Sequence, residues 1–178
     1  MTAAARPHIA VVTGVAGSGK STLAATLARS LGWDLLEGDD LHPPANIAKM
    51  AAGHALTDAD RAPWLAAIAA WMSAEFAAGR SAVVTCSALK RSYRDVLRRS
   101  LVGHPDAVLT ILQLTGSRQQ LADRLAARTG HFMPAALLDS QLHTLEPPGP
   151  DEPVVPLEIG PPPAEMAAAA LAALRAHS

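Results

Sequence analysis

The chain has 178 residues, 49% of them apolar, and its 15 basic and 16 acidic side chains leave a net charge of −1. Such a length suits one domain with a sizeable core, and the charge balance excludes a global field that would recruit nucleic acid or an anionic membrane. Cys86 is the single cysteine, which excludes an internal disulfide and fits a reducing compartment; MTAAARPH lacks the apolar core of a signal peptide and no apolar run reaches membrane-spanning length, so a cytoplasmic protein is expected.

The first predicted element is HIAVVT, where Ile9, Val11 and Val12 read as a buried parallel strand. GVAGSGKST follows, and then Leu23, Leu27, Ala28 and Leu31 recur at helical spacing. Gly14, Gly19, Lys20 and Ser21 satisfy G-x-x-x-x-G-K-[ST], a loop whose backbone N–H groups curl around phosphates while the lysine reaches the transferable one and the hydroxyl takes Mg²⁺. A helix starting near Lys20 adds unpaired N–H groups and the positive end of its dipole. The candidate nucleotide site is therefore Gly14, Val15, Ala16, Gly17, Ser18, Gly19, Lys20, Ser21 and Thr22, with Lys20 catalytic and Ser21 a metal ligand.

The next strand, DLLE (34 to 37), runs into EGDDLHPPANIAKM, a loop rich in Glu37, Asp39, Asp40, His42 and Lys49. Acidic clusters are ordinarily solvated loops. A carboxylate near a γ-phosphate, however, can hold an acceptor hydroxyl, take its proton, or fix Mg²⁺ through water. Asp39 is the first choice for the hydroxyl, and Glu37 for the metal. An apolar helix with Trp64, Ile68, Trp71 and Phe76 comes next, then the strand SAVVTC (81 to 86). On a helix expected from about Leu89 to Arg99, Lys90 and Arg94 share one face, as a carboxylate-bearing acceptor would explain, while Arg91 and Arg98 lie elsewhere.

After the strand AVLTILQL (107 to 114), Arg124 and Arg128 sit one turn apart on a helix that leads into a loop. Arginines on a mobile flap can close over phosphates and exclude water. VVPLEI has strand character, with Pro156 suited to an edge, and AEMAAAALAALRAHS reads as a closing helix. This βαβ rhythm implies an α/β fold, a parallel sheet covered on both faces with ligands beyond the carboxyl ends of the strands. Gly14, Asp39 and Ser87 all fall at such ends, around one crevice.

GVAGSGKST, GDDLHPPANIAKMAAGHALTDADRAPWL, CSALKRSYRDVLR and RTGHFMPAALLDSQLHTLEPP, in this order, resemble the gluconokinase family, small carbohydrate kinases related in fold to shikimate and adenylate kinases. The resemblance spans nearly the whole chain. It implies a nucleoside-monophosphate-kinase-like three-layer sandwich with a five-stranded parallel sheet, one kinase domain over 1–178 and a lid at about 125–143. It further implies ATP with Mg²⁺, transfer to the 6-hydroxyl of D-gluconate, and a homodimer. Carried over by position, Asp39 meets the acceptor hydroxyl, with His42, Arg61, Ser87, Lys90 and Arg94 around the sugar acid; Arg124 lies on the adenine side, and Arg128 and His131 belong to the lid, His131 reaching the substrate. Position 37, often Asp in similar proteins, is Glu here, and Thr57 stands where Asn is common.

A kinase of shikimate or another hydroxy acid would share the sheet and the phosphate loop, and a regulatory NTPase would share the loop alone. The latter needs no charged groups facing that loop. Metal-only or thiol chemistry has less support: the seven histidines show no ligand spacing, and Cys86 reads as a small buried residue at a strand end.

Overall fold

The computed structural model describes residues 6–128 and 135–178. Strands β1 (His8–Thr13), β2 (Asp34–Glu37), β3 (Ala82–Thr85), β4 (Val108–Thr115) and β5 (Val154–Glu158) form one sheet in the order β2-β3-β1-β4-β5. Every pairing is parallel. Side chains alternate across it, as the two-residue period of a strand requires. Ile9 and Val11 of β1 join Val84 and Ile111 on one face, packed by α3 (Asp58–Ala77) and α4 (Arg91–Arg98) through Trp64, Ile68, Met72 and Leu97. Ala10 and Val12 point the other way, with Val83 and Leu112, against α1 (Lys20–Leu31) and α7 (Pro163–Ala176) through Leu27, Ala170 and Leu174. A three-layer sandwich results, because β1 is hydrophobic on both faces and can only be satisfied by helices on both.

The short helix α2 (Pro44–Ala51) opens with a proline at its first position, where the missing N–H costs nothing. Thr57 caps α3: its hydroxyl accepts from Asp60 N–H at 3.1 Å, and the Asp60 carboxylate accepts from Thr57 N–H at 2.8 Å. Asn would cap equally well, which accounts for Thr being admissible there. Helices α5 (Arg118–Ala127) and α6 (Ala135–Thr144) flank the undescribed residues 129–134. Pro156 sits on β5, an edge strand, opposite Gln113.

Two expectations shift. Helix α4 begins at Arg91 and not near Leu89, because Ala88 adopts φ +39° and Lys90 is the extended residue capping the helix. Arg128 is not within α5 but just past its end, with φ −75° and ψ 116°.

The join between β2 and the acidic loop depends on Gly38. A Cβ there would lie 2.1 Å from the carbonyl oxygen of Thr85, a backbone atom of the neighbouring strand. Gly38→Ala is expected to lower stability by at least 1–3 kcal/mol, roughly the cost of overpacking a tight core, read as a drop in the urea midpoint. An unchanged midpoint would mean that β2 shifts away from β3 without cost.

Candidate active site

The loop between β1 and α1 begins with Gly14 and ends with Gly19, the residue that caps α1 at φ +93°. Gly17 occupies an unspecified position of the motif, yet it has φ +80°, and a Cβ there would come within 2.7 Å of Leu125 on α5. A side chain is excluded by conformation and by space alike. Val15 is buried, and Ser18 turns its hydroxyl inward to donate to the Val15 carbonyl at 2.7 Å, so Ser18 serves the loop with its side chain and a ligand only with its backbone. Thr22 lies exposed in the first turn of α1.

Lys20 folds back over this loop, donating to the carbonyls of Gly14 at 3.0 Å and Val15 at 3.1 Å. Burial lowers its pKa, against the opposing pull of Asp39, while Arg128 adds repulsion. Ser21 donates to the Glu37 carboxylate at 3.1 Å, and Thr85 donates to the same oxygen at 2.6 Å. Glu37 is thus oriented by a hydroxyl from the next strand. Cys86 is buried and its thiol is pushed up to about 12 by that burial, so it stays protonated and inert.

A cavity of about 390 Å³ opens beside Lys20 and is walled by Ala16, Asp39, His42, Arg61 and Ser87. His42 is buried, stacked on Trp64 with ring centroids 4.1 Å apart, and burial lowers its pKa, with Asp39 opposing and Arg61 adding to the decrease. Trp64 is itself pinned, its indole N–H donating to the Gly38 carbonyl at 2.8 Å. Arg61 donates to the Tyr93 hydroxyl at 3.1 Å and lies 5.4 Å from that ring's centroid. Tyr93 donates to Asp58, which also accepts from Lys90 at 3.0 Å. Ser87 precedes Ala88, the one non-glycine residue with positive φ among the described residues, a strained conformation at the rim of the site.

Lys90 and Arg94 do not act together. Lys90 is committed to Asp58, and Arg94, predicted to grip the acceptor, is buried and does not border the cavity. Its guanidinium is 1% exposed and pairs with Glu152 at 2.6 and 3.1 Å, while Nη1 donates to the carbonyls of Leu89 at 3.2 Å and Glu146 at 3.3 Å. The partner is 58 residues away in sequence, which the local spacing of α4 could not reveal. Arg124 bridges the phosphate loop and the segment after β5, donating to the carbonyls of Ser18 at 3.4 Å and of Ile159. Arg128 is exposed, and His131 lies outside the described residues.

Several residues were missed. Gln141 on α6 lines the cavity and its carboxamide oxygen accepts from the Ala16 N–H at 2.7 Å. Asn46, Asp58, Tyr93 and Thr85 hold the residues that were found. The segment SQLHTLEPP carried Gln141 in plain view, but an uncharged amide gives no signal by itself.

Residues 9–148 match the AAA domain family. A gluconokinase of Gluconobacter oxydans is 55% identical over 84% of this chain and 82% of its own, and the thermoresistant gluconokinase of Escherichia coli is 45% identical over 82% and 80%. A crystal structure of a gluconokinase from Sinorhizobium meliloti superposes with a TM-score of 0.86 at 47% identity, covering 96% of this chain and 93% of that one. The APS kinase of Mycobacterium tuberculosis, 20% identical with a TM-score of 0.66 over 96% of this chain and 98% of that one, shares the fold alone.

Removing only one member of the buried pair should reveal its task. Arg94→Ala is expected to cost about 3–5 kcal/mol of stability, the usual result of stranding a buried charge, whereas Arg94→Met combined with Glu152→Leu should recover most of it and keep acceptor affinity. Urea unfolding and acceptor titration test both halves. A stable double variant that no longer binds acceptor would return Arg94 to the acceptor site. With the loop, the cavity and these relatives in agreement, the chain belongs to the gluconokinase family.

Proposed function

We propose that this protein transfers the γ-phosphoryl group of ATP to the 6-hydroxyl of D-gluconate, giving 6-phospho-D-gluconate and ADP. The observation that carries this reading is the shared cavity, in which Asp39 and Lys20 border one space. The likeness to named gluconokinases supports it. In the transfer, the acceptor hydroxyl donates to the Asp39 carboxylate, which takes the proton as the oxygen bonds to the γ-phosphorus; the bond to the bridging oxygen breaks and leaves ADP. Lys20 and the loop N–H groups stabilise charge on the transferring group. Lys20 must exchange two carbonyl partners for phosphate, a change its charge favours strongly.

Arg61 is the best-placed partner for the gluconate carboxylate. It borders the cavity and is held by a phenol, and among the described residues no carboxylate pairs with it. Lys90, by contrast, is already neutralised by Asp58. The hard oxygen donors of Ser21 and Glu37, 3.1 Å apart, suit Mg²⁺. When bound, that ion supplies charge neutralisation for the β- and γ-phosphates. Thr85 would keep Glu37 turned toward it.

The reading extends to one kinase domain over 1–178, with residues 125–143 as its lid. Support comes from Leu137, Ser140 and Gln141 of α6, which border the cavity, and from Arg118, which pairs with Asp139 at 2.6 Å to tie α5 to α6. Arg128 and His131 would act from that lid, and Arg124 from the adenine side. A homodimer working in the cytoplasm completes the proposal; no helix among the described residues is long and apolar enough to cross a membrane.

ADP release measured with D-gluconate, other aldonic acids, shikimate and no acceptor tests the assignment. Gluconate should be required and preferred; equal hydrolysis without acceptor would favour a regulatory NTPase. Asp39→Asn should lower phosphorylation by about two to four powers of ten with no rescue by added Mg²⁺. Glu37→Gln should raise the Mg²⁺ requirement and regain part of its rate at high metal. Rates across a Mg²⁺ titration separate them, and rescue of Asp39→Asn alone would reverse the two roles.

A further inference from the structure

We propose that Asn46 is a positioning residue that locks the tautomer of His42, so that His42 offers Nε2–H as a hydrogen-bond donor to the acceptor and leaves proton acceptance to Asp39. Asn46 lies on α2 four residues after His42 and is 5% exposed. Its side-chain nitrogen donates to the carbonyl oxygen of Asp60 at 2.9 Å. A carbonyl oxygen only accepts, so the atom facing it must be the NH₂ group and not the amide oxygen. The same nitrogen lies 3.2 Å from His42 Nδ1. With one hydrogen directed to Asp60, the other meets Nδ1, which must answer with a lone pair. The proton of a neutral ring then resides on Nε2.

The surroundings favour the neutral ring. Burial against Trp64 lowers its pKa from the ordinary histidine value; Asp39 opposes that decrease and Arg61 adds to it. Nε2 is 3.7 Å from the nearer Asp39 oxygen, too far for a hydrogen bond. Both groups border the same cavity. A hydroxyl there can donate its proton to Asp39 and accept from Nε2–H through a lone pair, so the pair recognises a group that is donor and acceptor at once. A protonated amine has donors but no lone pair, and is refused by the histidine. This inference rests on the kinase reading for its acceptor, but the tautomer itself does not.

The decisive measurement is long-range proton–nitrogen NMR on ligand-free, nitrogen-15-labelled protein. His42 should show a lone-pair nitrogen at Nδ1 and a protonated nitrogen at Nε2. The opposite tautomer, or an even mixture, would overturn the proposal whatever the acceptor proves to be. Asn46→Asp places a carboxylate where a donor stood, and should move the ring proton from Nε2 to Nδ1, giving the opposite neutral tautomer and leaving Nε2 without a hydrogen to donate. The acceptor KM should then rise about tenfold, the scale of one hydrogen bond, with the KM for ATP unchanged. A folded variant that keeps the lone pair on Nδ1, or that changes tautomer without changing acceptor KM, would also overturn it. Should that variant fail to fold, the wild-type spectrum still decides. If gluconate is not the acceptor, the ADP-release assay fails while the tautomer spectrum stands, so the two readings fall separately.

Discussion

The register of three parallel strands governs the site. Thr85, the last residue of β3, is paired with Val12 on one side and Glu37 on the other, so β1, β3 and β2 reach the carboxyl edge at one level. The loops that leave there carry Lys20, Ser87 and Asp39 to a common cavity. The lock is not confined to the strands. Cys86 N–H donates to the Val12 carbonyl at 3.1 Å, and the Thr85 hydroxyl accepts from Gly38 N–H at 3.1 Å while donating to Glu37. A one-residue slip of β3 would turn Thr85 to the opposite face. It would release the Glu37 carboxylate and the start of the acidic loop together.

The strands and their order along the chain were legible because most of them are short apolar runs closed by turn residues, β2 with its charged ends being the weakest signal. β1 needed no subtlety: four successive residues, Ile9 to Val12, have no exposed surface, and the glycine loop that follows ends in a helix. The acidic loop was legible too, since Asp39 and Glu37 are charged residues at a strand end. Local spacing failed at α4. Helical periodicity put Lys90 and Arg94 on one face, but the left-handed turn at Ala88 delays the helix, and Arg94 is drawn inward by Glu152. Neither event has a local signature. Asn46, Gln141 and Tyr93 escaped for a related reason: their importance comes from the atoms they hold, Asp60 O, Ala16 N–H and Asp58, which sit far along the chain.

Charge alone could not sort the arginines, because the number of positive groups near a site says little until their partners are known. Arg94 and Arg124 both tie distant segments together. The first ties α4 to the Leu89 loop and to the segment around Glu146 and Glu152; the second ties the phosphate loop to the end of β5. Arg91 and Arg118 likewise meet carboxylates, Asp151 and Asp139. Arg61 differs in kind. Its bond is to a neutral phenol, which orients the guanidinium without cancelling its charge, and that phenol is itself fixed by Asp58. A carboxylate entering the cavity therefore meets in Arg61 an oriented cation with which no carboxylate forms an ion pair among the described residues, set in walls that the fastened arginines help to hold. Holding such a group in place before a ligand arrives removes part of the ordering cost of binding. The same division sets the shape of the cavity before any ligand arrives: Arg94, Arg91 and Arg118 are held by carboxylates, and Arg124 by carbonyls, rather than aimed into it.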